Sequence, residues 1–540
     1  MENKLKWYHK AIVYQIYPRS FYDSNGDGIG DIQGIIAKLD YLKKLGVNAI
    51  WLSPVYRSPN DDNGYDISDY CDINPEYGTM DDMDQLILEA KKRDLKIIMD
   101  LVINHTSDEH PWFIASKDPK SKYRDYYIWQ DKPNNWTSFF AGPAWTKVND
   151  AYYLHLFSKK QPDLNWKNPK VMEEIKKILH FWLKKGIAGF RCDVINIIYK
   201  TTLEDGKKRF VLTGKEHYHS QAGCHRILKE LRSDVLEQYD CFTVGETVLV
   251  NTQQANELIH PDRKELDMVF GFEHMDVDHI NNKWFKTKFK PKKMMKVLNT
   301  WQQEVYWNAN YFENHDQPRS VSRYLKNDEK YRVVGAKMLA TLNLSLRGTP
   351  YIYQGQEIGM TNANFRTIEE YRDLESIRIE KLARKLWFPK WLRMRILSKA
   401  SRDNARQPLQ WNQAGGFTTG NSTWIPENPN KSYINIEDQT KDKNSILKYY
   451  QELIKFRNES EALLKGNFKP YSATKKIYSF IRESNDQKLL IVLNMSNKKP
   501  RIPKGIKGDI VVSNYHRTNF INPRLNPYEA LIIDITRREA

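Results

Sequence analysis

The chain has 540 residues, 40% of them apolar and 28% charged, with 15 Trp, 31 Tyr and 21 Phe. That length holds about three domain-sized units, or one large α/β barrel with additions, and the aromatic content excludes a disordered chain. No apolar run approaches the roughly 18 residues of a spanning helix, and the formal charge of +17 raises the question of a nucleic-acid partner. The cations are spread through helix-like segments, with 283–296 the nearest approach to a basic block, so a solvated basic surface is favoured and neither nucleic acid nor a membrane is expected as partner. Charges and Tyr break up the first twenty residues, unlike a cleaved signal, so the chain reads as cytoplasmic. Cys71, Cys192, Cys224 and Cys241 have no CxxC spacing and read as reduced thiols filling small apolar spaces. A monomer without an organic cofactor is expected.

In chain order, β-rich runs are predicted at 11–17, 48–53, 96–104, 188–194, 242–246, 267–272, 308–313 and 350–354. Between them Ile32, Ile35, Ile36, Leu39, Leu42 and Leu45 recur at helical spacing, as do Ile175, Ile178, Leu179, Trp182 and Leu183. Eight such alternations are the pattern of an α/β fold, the parallel (β/α)8 TIM barrel. Two excursions follow strand C-terminal ends, where such a barrel builds its site. Segment 105–166 is too long and too aperiodic for an ordinary connection and reads as a small inserted domain; 361–411 is the second. After a helix at 446–456, short alternating runs predict a C-terminal antiparallel β-sandwich over 464–540, leaving 1–104 with 167–463 as the barrel.

Chemistry-bearing residues gather at the strand ends. Asp100 and His105 close the third strand, Arg191 and Asp193 the fourth, Glu246 the fifth, and His315 with Asp316 the seventh. One such acid alone is best read as a helix cap, but the set is expected to converge on one pocket. Three carboxylates with flanking Arg and His suit a reaction that protonates one oxygen while positive charge grows on carbon, as in glycoside hydrolysis. A separate loop, DSNGDGIGD, places Asp23, Asn25 and Asp27 at alternate positions, with the Ile29 carbonyl and Asp31 beyond. Hard oxygen donors at that spacing suit a structural Ca2+, although the full twelve-residue helix–loop–helix motif is absent.

The motifs DLVINH (100–105), QPDLN (161–165), GFRCDVI (189–195), TVGE (243–246) and ENHD (313–316) resemble those of the α-amylase superfamily, glycoside hydrolase family 13, and within it the oligo-1,6-glucosidase and dextran glucosidase group. The resemblance covers nearly the whole chain. It implies that Asp193 is the nucleophile, Glu246 the general acid and base, and Asp316 the carboxylate that holds ring hydroxyls of the first glucose. It further implies that Arg191 keeps Asp193 ionised, that His105 and His315 hydrogen-bond that glucose, and that Tyr65 stacks on it. Asp66 and Arg406, the latter four residues beyond Arg402, resemble the pair that closes the far end of the pocket. Closure there implies removal of one glucose at a time from an oligosaccharide's non-reducing end. Val194 after the nucleophile resembles members that cut α-1,6 bonds, whereas Cys192 and Thr247-Val248-Leu249 depart from the familiar pattern. Segments 314–319, 349–362 and 371–376 are also similar to trehalose-6-phosphate hydrolases, for which Lys283, Lys286, Lys288 or Lys290 are candidate phosphate contacts. A sucrose isomerase would use the same catalytic groups, and a non-catalytic transporter-accessory barrel would lack them.

Overall fold

The computed structural model describes residues 5–536 except 210, 281, 327, 328 and 504; the outer limits expected for the barrel and the C-terminal domain, residues 1 and 540, lie outside the described residues. Eight strands carry the fold: β1 (Val13–Ile16), β2 (Ala49–Leu52), β3 (Lys96–Leu101), β4 (Gly189–Cys192), β5 (Phe242–Glu246), β6 (Met268–Phe270), β7 (Ala309–Asn310) and β8 (Thr349–Tyr353). They form one sheet in the order β6-β5-β4-β3-β2-β1-β8-β7, with β3–β4, β4–β5, β5–β6, β1–β8 and β7–β8 all parallel. This is the (β/α)8 barrel order, and each strand is buried along nearly its whole length, as a parallel sheet covered by helices requires.

The chain forms two compact units, one of Met1–Gly30, Ala37–Ile50 and Glu273–Ala540, the other of Asp31–Ile36 and Trp51–Phe272. The second holds β3 to β6 and the insertion at 105–166. That insertion contains a short helix, Pro111–Ser116, and a three-stranded antiparallel sheet with Ala151–Leu154 in the middle. Its Ile128, Trp136, Trp145, Leu154 and Leu156 bury against Val194, Ile197 and Tyr218, so the insertion is packed on the segment that follows β4. Burial at that seam couples the position of the insertion to the residues just beyond Asp193.

The first unit carries β1, β8 and β7, the excursion after β8, and the C-terminal sheet. The excursion folds into two helices, α1 (Leu374–Lys385) and α2 (Lys390–Ala400). The C-terminal strands β9 (Asn467–Ala473), β10 (Ile477–Glu483), β11 (Lys488–Asn494), β12 (Asp509–Ser513) and β13 (Ala530–Asp534) pair antiparallel in the order β9-β10-β11-β13-β12. One face buries Ile481, Leu490, Val492 and Ile533 under Leu525, Ile502 and Phe520. On the other, Arg482 donates to the Ser345 carbonyl at 2.7 Å and the Tyr478 hydroxyl to Asn299 at 2.9 Å, which docks the sheet on the barrel helices 291–304 and 329–345.

Several predicted elements differ in extent, the third strand, for example, ending at Leu101 rather than at 104, and two differ in a way that bears on the fold. The helix expected through 32–45 is two helices, Ile32–Ala37 and Leu39–Leu45, broken at Lys38 (φ −112°, ψ 8°). There the ammonium sits 3.9 Å and 4.5 Å from the rings of Tyr22 and Trp411, a tertiary contact that periodicity does not encode. The seventh strand, expected over 308–313, pairs only at Ala309 and Asn310. His315 and Asp316 therefore lie on a turn beyond it, where the Asn314 side chain accepts the Asp316 amide at 2.8 Å.

Candidate active site

Strand register places the first cluster. Parallel pairing sets Asp100 beside Arg191 and Arg191 beside Val244. Since strand side chains alternate with period two, Asp193 and Glu246, each two residues on, leave neighbouring strands on that same face. The contacts follow: Arg191 Nη1 lies 2.6 Å from Asp100 and 2.5 Å from Asp193, and Arg191 Nη2 lies 2.8 Å from Glu246. Arg191 and Asp100 are sealed from water, while Asp193 and Glu246 keep a slight exposure. Gly245 is small for a reason, because a Cβ there would come within 2.6 Å of Leu266 and 3.0 Å of Ile195.

One guanidinium cannot balance three carboxylates away from water, so the cluster favours an added proton. Burial pushes Asp100 up to about 6, against the pull of Arg191 and of the Trp51 indole N–H, which donates to it at 2.7 Å. Directly after Asp193, Val194 sits in the left-handed region (φ 37°, ψ 39°) and its amide donates to Glu246 at 3.3 Å. A β-branched residue held there stores about 1–3 kcal/mol. The turn it makes ends β4 and starts the 3-10 segment Ile195–Ile197.

Tyr65 and His105 join the same cluster. The Tyr65 ring lies 5.6 Å from the Arg191 guanidinium carbon and its hydroxyl 3.5 Å from Asp100. His105 is tied to Asn104, whose orientation is set by two groups that allow no choice. Lys200, a pure donor, lies 2.7 Å from Asn104 Oδ1, and Asp163 accepts from Nδ2 at 3.2 Å. Asn104 Nδ2 therefore donates to His105 Nδ1 at 3.1 Å, and His105 carries its proton on Nε2, which donates to the Tyr65 carbonyl at 3.1 Å. Burial pushes His105 down to about 4, so it stays neutral. Lys200 and Asp163, 2.6 Å apart and both buried, were not singled out from the sequence; the signal was present in QPDLN, whose Asp163 pairs antiparallel with His105.

Asp66 is fully buried and accepts the amides of Asp61 and Asp62 at 2.8 Å and 2.9 Å. Burial pushes its carboxyl up to about 7. A carboxyl whose folded value is raised contributes stability below its unfolded value, near 4, and loses it as pH rises through about 7. Asp66→Asn is thus expected to raise the thermal midpoint at pH 8, by the equivalent of about 4 kcal/mol at most, with the advantage fading at pH 5. Calorimetry across that range reads it; an equal midpoint shift at both values overturns the assignment.

A second cluster stands in the other unit. Asp316 Oδ1 lies 2.8 Å from Arg406 Nη2 and 3.4 Å from Arg402 Nη1, and Oδ2 lies 3.1 Å from His315 Nε2. Burial alone would raise this carboxyl, but His315, Arg402 and Arg406 outweigh it and hold it well below the usual range, so it stays ionised. Gln15 meets His315 Nδ1 at 2.7 Å, the Tyr17 ring stacks on the imidazole at 13°, and Arg406 also donates to the His315 carbonyl. Arg402, weighed in the sequence as an alternative to Arg406, is anchored on Asp373 at 2.7 Å. Both arginines reach Asp316, so the two share one carboxylate.

The Asp23 loop is built of oxygen donors. Asp23 accepts the amides of Asn25, Gly26 and Gly28, Asn25 that of Asp27, and Asp27 that of Ile29, with Gly26 and Gly28 at φ +84° and +89°. Asp23 is 2% exposed, yet among the described residues no Lys, Arg or His pairs with it. A buried anion satisfied only by neutral donors fits a bound cation. Asp31 accepts the Gly34 amide at 2.6 Å, capping the helix Ile32–Ala37. Among the described residues no group of three His, Cys, Asp or Glu could hold a metal, so Asn25 and carbonyl oxygen would have to complete the set.

A parallel barrel with carboxylates and a guanidinium at its strand ends is the scaffold of a glycoside hydrolase. Residues 15–466 match the alpha amylase catalytic domain, and the chain belongs to that family. It is 48% identical over 564 residues to the oligo-1,6-glucosidase of Parageobacillus thermoglucosidasius, covering 98% of this chain and 99% of the relative. It is 43% identical over 544 residues to the glucan 1,6-alpha-glucosidase of Streptococcus pneumoniae, covering 98% and 99%. The crystal structure of trehalose-6-phosphate hydrolase from Bacillus licheniformis superposes with a TM-score of 0.93 at 42% identity, covering 99% and 100%.

Proposed function

We propose that this chain is an exo-acting, retaining α-glucosidase that releases glucose from the non-reducing ends of α-1,6-linked isomalto-oligosaccharides. The observation that carries the reading is the binding of Asp193 and Glu246 to the two Nη atoms of one buried guanidinium. Sharing one guanidinium suits the close spacing of a retaining pair, about 5 Å, better than the roughly 6.5–9.5 Å that leaves room for water. In the first step Asp193 attacks the anomeric carbon while Glu246 gives its proton to the departing glycosidic oxygen. Glu246 then takes a proton from water, whose oxygen attacks the same carbon and frees Asp193. Asp316, kept anionic by its cations, is assigned to ring hydroxyls of the first glucose; for Tyr65 as stacking face, His105 and His315 as its polar neighbours, and Asp66 with Arg406 as the closing pair, the support is the family resemblance. The names of the relatives and the branched Val194 beside the nucleophile support the α-1,6 linkage.

Glucose release from isomaltose, panose, short dextran, maltose, sucrose and trehalose 6-phosphate tests the reading. Fast turnover of isomaltose and panose with little of maltose is expected. Turnover of trehalose 6-phosphate alone overturns it in favour of the phosphosugar reading. That second reading has less support here, because Lys283 is paired with Glu375 and Lys286 is mostly buried 4.0 Å from Asp278.

The Asp23 loop supports one structural Ca2+, held by Asp23, Asn25, Asp27 and the Ile29 carbonyl, with Asp31 beyond; it supplies charge balance and takes no part in the chemistry. A chelator is expected to lower the thermal midpoint while leaving turnover at low temperature nearly unchanged, with Ca2+ restoring the midpoint; no shift excludes the ion. Free cysteines, three of them buried, support a cytoplasmic location. Light scattering at the 63.9 kDa of a single chain is the expected solution state.

A further inference from the structure

The excursion after β8 ends in a feature that the reaction does not use. Trp387 is 92% exposed and Trp391 64%, with Leu382 and Leu386 beside them at 48% and 59%. These four side chains mark the turn between α1 and α2, where Trp387 takes φ +59° and Pro389 starts the second helix. The inner faces of the same helices are satisfied: Leu397 and Ala400 bury in a cluster with Trp284, Phe365 and Tyr371. Large apolar groups left in water at the far end of a well-packed hairpin mark an interaction surface.

Charge identifies the partner. From 381 to 399 the chain carries seven cations and no acid. Arg384 and Arg393 meet Glu380 at 3.7 Å and 2.9 Å, whereas Lys381, Lys385 and Lys399 have no ion pair among the described residues. A neutral glucan could stack on Trp but has no use for the cations, and it is usually gripped through carboxylates, which this tip lacks. A phosphate backbone has no use for Leu382 and Leu386. An anionic bilayer uses both: indole rings settle at the headgroup level with their N–H groups solvated, aliphatic groups enter the acyl boundary, and Lys and Arg meet lipid phosphates.

We infer that the α1–α2 hairpin, tipped by Trp387 and Trp391, is a docking element for an anionic lipid surface. The attachment is peripheral, since no helix among the described residues is long and apolar enough to cross a membrane. The expectation that no membrane is a partner, drawn from the lack of spanning runs and from a dispersed basic charge, did not weigh such peripheral contact. The inference is independent of which glucoside the enzyme cleaves.

Co-sedimentation of the full chain with vesicles tests it, comparing phosphatidylcholine alone with a mixture containing about one third phosphatidylglycerol. Binding to the anionic vesicles only, weakening as salt is raised, is expected. The double variant Trp387→Ser, Trp391→Ser is expected to lose roughly tenfold or more in binding, as is Lys381→Gln, Lys385→Gln, with turnover of soluble isomaltose unchanged in both. No binding by the parent chain, equal binding to neutral vesicles, or undiminished binding by the Trp variant overturns the inference. So does retention on insoluble glucan that the Trp variant loses, with no retention on vesicles, which would make the tip a sugar platform.

Discussion

Asp193→Asn is expected to remove glucose release almost entirely, with kcat falling by about 10^4-fold or more, while the thermal midpoint stays within a few degrees of the parent. The amide keeps the volume of the carboxylate but has no charge with which to attack, and it leaves Arg191 with Asp100 and Glu246 still bound. Glu246→Gln is expected to behave differently according to the leaving group. Isomaltose, whose departing oxygen needs a proton, should lose about 10^2- to 10^4-fold, whereas a glucosyl fluoride, which needs none, should still glucosylate the enzyme. Mass spectrometry of the Gln variant after such a substrate should then find the sugar on the peptide carrying Asp193. A sugar found on another carboxylate, or substantial isomaltose turnover by either variant, refutes the roles.

Arg191→Met should have the largest effect on stability. It leaves Asp100, Asp193 and Glu246 together without their shared cation, and breaking a buried ion pair costs about 3–5 kcal/mol. The loss has a defined pH dependence. Asp100 already sits near 6 with Arg191 beside it; without that charge it rises further, and a carboxyl with a raised folded value costs stability as pH climbs past it. The variant should be close to the parent below about pH 4 and fall behind progressively above pH 6. Denaturant unfolding at a series of pH values measures this, and a deficit that does not vary with pH would mean that the cluster is not short of positive charge. Arg191→Lys should recover part of the stability and little of the activity, because one ammonium cannot replace a planar fork that reaches three carboxylates.

Much of the architecture is legible in local pattern. The eight β-rich runs and the helical spacing of Ile175, Ile178, Leu179 and Trp182 depend on neighbours along the chain, so the barrel could be read before any contact was known. The strand-end residues Asp100, Arg191, Asp193 and Glu246 were visible for the same reason, since charge in an otherwise apolar strand is conspicuous. The predicted seventh strand, 308–313, overruns the observed one because residues 311–313 are compatible with strand or with the approach to a turn. Pairing of β7 with β8 stops after Asn310, and Asn314 then uses its side chain to make the turn. Local propensity cannot decide between two such outcomes when a side chain such as Asn314 offers the backbone a local hydrogen bond in place of the strand ladder.

Periodicities of two and 3.6, together with residue type, were enough for the barrel, for the C-terminal sheet domain, and for the strand ends that carry acid, Arg and His. Which side chains face one another was left to long-range packing. Parallel register set Asp100 beside Arg191 and brought Glu246 to the same guanidinium as Asp193; Lys200 and Asp163 fixed the Asn104 amide and through it the proton on His105; packing of the insertion against Val194 and Ile197 holds the segment beyond the nucleophile. The exposure of Trp387 and Trp391 likewise belonged to the fold alone. Register, hydrogen-bond orientation and exposure are set by groups distant in the chain, and no local pattern records what will pack against a residue once the chain has closed on itself.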